Sequence, residues 1–223
     1  LKINKIKIPS GEIDNLPLLI NIAKANKNTI LSTGMSTLKE IQSTVNILFK
    51  NGLNKKKLSI LHCTTKYPTN YKDVNLKVIN LLKNKFKLNI GYSDHTIGTI
   101  VPVAAVAIGA TIIEKHFTLN KKLKGPDHLS SLEPKEFENM VLSIRSTTLS
   151  IGLEKKILTI EELDNKEKVR KSIYALNNIK KGDLFTENNL ICKRPAKGFS
   201  PMKWYKLLNS VAKKNYKKDD LIK

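Results

Sequence analysis

Residues 89–117 read NIGYSDHTIGTIVPVAAVAIGATIIEKHF, and this stretch decides the fold. It holds a short β-rich run (89–93), a polar loop, an apolar helix (99–108) and a second β-rich run (111–117). Gly109 follows the helix, at a position that favours a residue with positive φ. A strand, a helix and a second strand in this order predict a βαβ unit with parallel strands.

The same pattern recurs through the first part of the chain. Further β-rich runs lie at 5–9, 29–33 and 58–63, and amphipathic helices are predicted at 16–25, 38–50, 76–86 and 134–151. Ser36 is the predicted cap of the helix at 38–50, with Glu40 in its first turn. Gly52 and Gly152 follow predicted helix ends, as Gly109 does. The pattern therefore gives five successive βα units.

Five βα units predict a parallel sheet, but a complete eight-unit barrel needs roughly 250 residues. The chain does not begin with Met, which favours three further βα units before Leu1. The predicted fold is thus α/β, a (β/α)8 TIM barrel of which about five C-terminal units are present. An open, doubly wound sheet is the alternative.

The pattern changes after Gly152. Segment 154–168 is charged, has no clear apolar stripe and is predicted to be a linker between the barrel domain (1–153) and a small second domain (169–223). The second domain is strongly basic, with β-like pieces at 172–175 and 190–193 and turn signals at 181–183. A domain of this size has a small core, so we expect it to dock on another surface.

The net charge of +21 raises the possibility of nucleic-acid binding. Only Arg145, Arg170 and Arg194 are arginines, and lysine is the poorer residue for bidentate base and phosphate recognition. No helix-turn-helix or aromatic stacking motif is present, so we expect no nucleic-acid partner, and a positive field that attracts an anionic substrate. Two distant cysteines and no long apolar run predict a soluble, cytoplasmic protein without a disulfide framework or membrane span.

Reactive residues follow the predicted strands, where loops build the site in parallel βα proteins. Three of the four histidines, His62, His95 and His116, lie at these strand ends. Because His95 and His116 end neighbouring strands, their imidazoles can converge on one metal ion. The alternative is that each is a hydrogen-bonded structural histidine. Glu114 lies on the same side of its strand as His116. Its carboxylate either orients a metal ligand or is a buried structural group.

Short hydroxyl side chains at the same strand ends offer a cradle for phosphate or carboxylate. Ser32, Thr65 and Ser93 stand there beside backbone N–H groups, and Lys7 adds a cation if it points into the barrel. Turn formation is the commoner role of any one Ser or Thr. Asp127 lies in a loop after the fifth strand and is available to bind substrate hydroxyls, unless that loop only caps the next helix.

Six ordered motifs carry a resemblance to a known family. The chain resembles the N-acetylneuraminate (sialic acid) synthase family, with the similar legionaminic and pseudaminic acid synthases, in KIPSGE (7–12), LSTGM (31–35), HCTTKYP (62–68), GYSDHT (91–96), EKHFT (114–118) and GPDH (125–128). Segments around Arg170, 179–182 and 193–195 resemble the C-terminal antifreeze-like (SAF) domain of that family. Asn70 and Ala196 depart from its usual proline and glycine.

The resemblance implies site residues by position. It makes His95 and His116 catalytic metal ligands, for manganese in most cases and magnesium or cobalt otherwise. Glu12 would be a catalytic carboxylate that handles a proton or positions water. The substrates, phosphoenolpyruvate and an N-acylated hexosamine such as N-acetylmannosamine, would be bound by Lys7, Ser10, Ser32, Thr65, Tyr67, Ser93, Asp127 and Arg194.

The resemblance also implies the reaction and the assembly. The reaction is condensation of the two substrates to an N-acetylneuraminate-type nonulosonic acid and phosphate, a transferase reaction that forms a C–C bond. Arg194 would reach the partner subunit's site in a domain-swapped homodimer. A legionaminic or pseudaminic acid synthase is the alternative, and so is an inactive sugar-binding fragment, because the family supplies further acidic and basic groups from the preceding βα units.

Overall fold

The computed structural model describes residues 3–223 and comprises two compact units, Leu1–Leu153 and Glu154–Lys223. The first unit alternates strands and helices along its described length. Its strands are β1 (Lys5–Ile8), β2 (Asn28–Ser32), β3 (Leu58–Cys63), β4 (Asn89–Asp94) and β5 (Ile113–Lys115). Its helices are α1 (Leu16–Ala25), α2 (Leu38–Lys50), α3 (Val78–Phe86), α4 (Ile100–Ala107) and α5 (Pro134–Ile151).

The strand order settles the architecture of the first unit. The five strands form one sheet in the order β1-β2-β3-β4-β5, and every neighbouring pair is parallel. A doubly wound sheet reverses direction at a switch point, so its strand order is not sequential. A sequential order is the order of strands around a (β/α)8 barrel. The α/β barrel prediction is therefore confirmed for the five units present.

One face of the sheet is covered by helices. Alternate strand residues, among them Ile8, Leu31 and Ile60, are fully buried there and pack with apolar residues from the helices. Burying one such side chain contributes about 1.5–3 kcal/mol to stability. The apolar repeat of each helix is thus what holds it on the sheet.

Helices α2 and α3 differ from expectation at their N-termini. Thr37, not Ser36, caps α2, because Thr37 accepts a hydrogen bond from the Glu40 backbone N–H while Glu40 reaches back to the Thr37 N–H. The hydroxyl of Ser36 instead donates to the Gly34 carbonyl. Helix α3 begins at Val78, two residues later than predicted, after the left-handed residue Asn75.

The fifth strand is shorter than the predicted 111–117. Its ladder is regular only over Ile113–Lys115, and Phe117 makes an isolated parallel bridge with Leu132. Gly91 allows the approach of this segment to β4, since a Cβ there would lie 2.5 Å from the Ile112 carbonyl oxygen. Any larger residue at position 91 would push the fifth strand away from β4.

The second unit has its own small core. An antiparallel pair, β6 (Ser172–Ala175) and β7 (Leu190–Lys193), lies at its centre, and the short helix α7 (Trp204–Leu207) follows. Ile173, Phe185 and Tyr216 are among its buried residues. Isolated bridges such as Ile179–Tyr216 close the remaining loops, so much of this unit is held by irregular backbone pairing.

The predicted linker 154–168 contains a helix. Helix α6 (Ile160–Val169) fills most of this segment, with a capping box between Thr159 and Glu162. The sequence suggested a linker because the helix has no buried residue and so no apolar stripe. Between residues 3 and 223, no helix combines the length and the apolar character that crossing a bilayer requires.

Candidate functional site

The polar residues at the strand ends fall into two sets, one on each face of the sheet, because side chains alternate between the faces along a β-strand. On β4 and β5, Ser93, His95, Glu114 and His116 lie on the face opposite to the helices. The register places Ser93 beside Glu114, so the two histidines that follow are neighbours. We call this side of the strand ends the open face. The other side, which carries Tyr92, Asp94 and Lys115, we call the covered face.

The two histidines of the open face lie close together. Their ring centroids are 5.3 Å apart, and the ring of Tyr67 lies 4.2 Å from His95 and 5.4 Å from His116. Tyr67 precedes a cis proline, Pro68, at the end of the β3 loop. Sequence reasoning had assigned all three residues to one site, and the fold brings them together.

A backbone hydrogen bond orients His95. Its Nδ1 lies 2.8 Å from the Thr64 carbonyl oxygen, which can only accept, so Nδ1 carries the proton. Nε2 then has a free lone pair and lies 3.4 Å from the Ser93 hydroxyl. Burial lowers the pKa of His95, which favours the neutral imidazole. A neutral imidazole with a fixed tautomer is the form that binds a metal ion.

Glu114 links the histidine pair to the cation of the site. Its Oε1 accepts hydrogen bonds from Lys7 Nζ at 2.9 Å and from Ser93 Oγ at 2.7 Å. Burial by itself would raise the pKa of Glu114, but the bonds from Lys7 and Ser93 outweigh it and keep the pKa below its ordinary value. The carboxylate is therefore ionised and holds the Lys7 ammonium on the open face.

A second group of small polar side chains surrounds Gly34. A Cβ at Gly34 would lie 2.1 Å from Thr65 Oγ1 and 2.9 Å from Ser10 Oγ, so only glycine fits there. Ser10 Oγ accepts from the Gly34 N–H at 2.9 Å and lies 3.3 Å from Cys63 Sγ. The hydroxyl of Ser32 is buried without a hydrogen-bond partner among the described residues. An orphan hydroxyl in such a place is a candidate contact for a ligand.

Three other predicted residues, Glu12, Asp127 and Arg194, have the following neighbours. The Glu12 carboxylate accepts from Asn15, which caps α1, at 2.6 Å. Asp127 Oδ2 lies 3.8 Å from His116 Nδ1, beyond hydrogen-bond distance. Arg194 belongs to the second unit, where its Nε donates to the Val169 carbonyl at 2.7 Å.

The remaining strand-end histidine is on the covered face. His62 Nε2 lies 2.7 Å from the Val74 carbonyl oxygen, and its ring is tilted against that of Tyr92, with the centroids 5.8 Å apart. Sequence reasoning grouped His62 with the other strand-end histidines. Side chains alternate between the two faces along β3. Because Cys63 faces Ser10, the preceding residue, His62, must lie on the opposite face.

The strand ends also hold a fully buried ion pair that the sequence did not predict. Lys115 Nζ lies 2.6 Å from Asp94 Oδ2, and both side chains are completely buried on the covered face. In the sequence analysis Asp94 stands only within the motif GYSDHT (91–96). The signal was present in the sequence, since charged residues at buried strand positions are rarely found without a partner.

The donor set suits a divalent metal ion in part. Between residues 3 and 223 no cluster of three or more His, Cys, Asp or Glu side chains is arranged to hold a metal. The two imidazoles supply two nitrogen ligands, one with its tautomer set by Thr64. Water and substrate oxygens would have to complete the shell, which is usual for manganese or magnesium at catalytic sites.

The chain is similar to known proteins over most of its length. Residues 1–156 match the NeuB family and residues 170–223 match the SAF domain. The chain is 51% identical over 97% of its length to N,N'-diacetyllegionaminic acid synthase of Campylobacter jejuni. It is 41% identical, again over 97% of its length, to pseudaminic acid synthase of the same organism. It spans 65% and 62% of the lengths of these two relatives.

A solved structure supports the same assignment. The sialic acid synthetase of Leptospira borgpetersenii, determined in complex with citrate, superposes with a TM-score of 0.68 at 38% identity, over 74% of this chain and 56% of that one. The match to the NeuB family covers well over half of the chain. The match to the SAF domain follows it, in the same order as the α/β unit and the second unit of the fold. The chain therefore belongs to the NeuB family of sugar acid synthases, with a SAF domain after the α/β unit.

Proposed function

We propose that this chain supplies the metal-binding and phosphoenolpyruvate-binding parts of an enzyme that condenses phosphoenolpyruvate with an N-acylated hexosamine. The products are a nonulosonic acid of the N-acetylneuraminate type and inorganic phosphate. The observation that carries the proposal is the open face, where two adjacent imidazoles stand beside an ionised carboxylate and a lysine ammonium. Membership of a family of sugar acid synthases supports it.

His95 and His116 would hold the divalent ion, with manganese the first choice and magnesium or cobalt the alternatives. Such an ion supplies Lewis-acid polarisation of the sugar aldehyde. The chain's own contribution to that group is the Thr64 carbonyl, which keeps the Nδ1 proton of His95 in place and leaves Nε2 free.

Cationic and hydroxyl groups would bind phosphoenolpyruvate. Lys7 is held by Glu114 at the rim of the open face, with its side chain about two-fifths exposed (39%), so its ammonium can also meet the phosphate. The orphan hydroxyl of Ser32 can donate to a substrate oxygen without giving up a protein partner. Ser10, Thr65 and Ser93 add hydroxyls at the same strand ends.

The covalent change balances without a redox partner. The C2=C3 π electrons of phosphoenolpyruvate form a C–C bond from C3 to the aldehyde carbon of the open-chain sugar, while the C=O π bond of the aldehyde breaks and its oxygen takes up a proton. Water then adds at C2, and the C–O bond of the tetrahedral intermediate breaks, which releases phosphate. Glu12 is the proposed carboxylate for proton handling or water positioning, from the loop after β1.

The sugar is proposed at the level of class. The relatives include synthases of an N,N'-diacetylated product and of pseudaminic acid, which supports hexosamines with one or two acetamido groups as candidates. Tyr67 and Asp127 lie beside the histidines and are the proposed contacts to the sugar. We further propose a cytoplasmic, domain-swapped homodimer in which Arg194 completes a second copy's site.

A phosphate-release assay tests the proposal. The complete protein that contains this chain is incubated with phosphoenolpyruvate, Mn²⁺ and N-acetylmannosamine or a diacetamido hexosamine, and the products are identified by mass spectrometry. His95→Ala and His116→Ala are each expected to lower the rate by more than about 100-fold, since each removes a direct ligand. Lys135→Met, at an exposed ion pair on α5, is the control and is expected to keep the wild-type rate.

Two outcomes would contradict the proposal. Full Mn²⁺-dependent activity in both histidine variants would remove the metal assignment. Phosphate release that does not depend on any hexosamine would contradict the proposed condensation reaction.

A further inference from the structure

The covered face of the strand ends holds an ion pair that the proposed reaction does not use. Lys115 Nζ and Asp94 Oδ2 are 2.6 Å apart, and neither side chain is exposed. Asp94 and Lys115 are also the last register pair of the β4–β5 ladder. The backbone ladder between these two strands ends here, one residue before each candidate metal ligand.

The hydrogen-bonding capacity of the pair is directed at the backbone around His95. Asp94 accepts from the Thr96 N–H and the Thr96 hydroxyl, both at 3.1 Å, and from the Tyr92 hydroxyl at 3.1 Å. Lys115 Nζ also donates to the Thr96 carbonyl oxygen. Burial raises the pKa of Tyr92, so its hydroxyl stays a donor to Asp94.

These hydrogen bonds join the residue next to His116 to the residues on both sides of His95. Lys115 immediately precedes His116. Its ammonium donates to Asp94, the residue before His95, and to Thr96, the residue after it. We propose that the Asp94–Lys115 pair is a positioning device that sets the separation and direction of the His95 and His116 imidazoles. This inference rests on the proposed function in taking those imidazoles as the metal ligands.

Stability alone does not account for such a pair. Replacing a buried ion pair with apolar residues of similar volume is often neutral or stabilising, because desolvation offsets most of the attraction. What an apolar pair cannot supply is direction, since apolar contacts do not fix the angle or register of the groups that they join. The pair is thus suited to holding two ligands in a defined geometry at the end of a ladder.

The test is a variant that removes both charges together. Asp94→Asn with Lys115→Met leaves no unpaired charge, so we expect the protein to fold. We expect its Mn²⁺ affinity, measured by electron paramagnetic resonance of free Mn²⁺, to fall by about tenfold or more. The matched control removes another Lys–carboxylate pair of the same unit, Lys121→Met with Glu136→Gln (2.6 Å in the wild type), and is expected to keep the affinity.

Imidazole ¹⁵N resonances of the metal-free protein give a readout that a purely structural role would not move selectively. In the double variant the signals of His95 and His116 should shift, while that of His128, which binds Thr118, should not. Tyr92→Phe, which deletes one donor to Asp94, is the milder variant and should move the same two signals less.

The outcomes separate this inference from the proposed function. A folded double variant with wild-type affinity and unshifted His95 and His116 signals overturns it. If the double variant does not fold, unshifted signals in Tyr92→Phe overturn it instead. If the wild-type protein binds no Mn²⁺, the metal assignment fails, yet selective shifts of the two histidine signals would still support the positioning role.

Discussion

The two faces of the strand ends carry the same kind of ion pair in opposite surroundings. On the covered face, Asp94 and Lys115 are 2.6 Å apart and fully buried. On the open face, Lys7 and Glu114 are 2.9 Å apart, with side chains 39% and 35% exposed. The buried pair has every neighbour occupied by protein, whereas the open pair can exchange a partner for a ligand. On our proposals, similar chemistry would serve positioning on the covered face and ligand binding on the open face.

The largest expected difference between the faces is in stability. Asp94→Ala leaves the Lys115 ammonium buried without its partner, and we expect the free energy of unfolding to fall by about 3–5 kcal/mol. Lys7→Met breaks the open pair, whose exposure lets water replace the lost partner, and should cost less than about 1 kcal/mol. Urea unfolding of the two variants measures both values, and equal losses would contradict the contrast.

The next expected effect separates binding from stability at Ser32. Its buried hydroxyl has no protein partner, so Ser32→Ala should leave stability unchanged or raise it by about 1 kcal/mol. If the hydroxyl donates to phosphoenolpyruvate, its loss should raise the KM for that substrate by about 10- to 100-fold. Ser43→Ala, at an exposed position on α2, is the control. An unchanged KM would show that the hydroxyl has no role in binding.

The smallest expected effect is the pH dependence of stability that arises from His62 on the covered face. Burial, more than the opposing bond to Val74, lowers the pKa of His62 from its ordinary value of 6.5. The unfolded chain therefore binds a proton more readily than the folded chain, and stability falls as the pH drops below about 6.5. His62→Gln cannot titrate and should show a smaller loss between pH 7.5 and 5.5. An unchanged pH dependence would contradict this origin.

Much of the fold was predictable because it depends on local patterns. The bounds of α1, α2, α5 and β3 coincide with the predicted ranges, since each has a clear apolar period and a turn residue at its end. The helix within 154–168 was missed because none of its residues is buried, which leaves no apolar stripe to detect. The shortened fifth strand had no signal in the sequence, because the β-rich run 111–117 continues past Lys115 while its ladder with β4 does not.

The candidate site was predictable as a set of residues but not as an arrangement. Ordered motifs at strand ends singled out His95, His116, Tyr67 and Ser93, and a parallel sheet must bring such ends to one edge. The link from Lys7 through Glu114 to Ser93 joins three strands and has no local signature. The lone hydroxyl of Ser32 likewise appears only once its neighbours are in place.

The sequence by itself determined the period of the strands and helices in the first unit, and with it which strand residues share a face. It also determined the order of the motifs along the chain, which identifies the family. The tertiary structure decided which face is covered by helices, and therefore that Asp94 and Lys115 must pair while Lys7 and Glu114 remain open. The physical reason is that burial depends on what packs from elsewhere in the chain, and burial decides whether a charge needs a permanent partner.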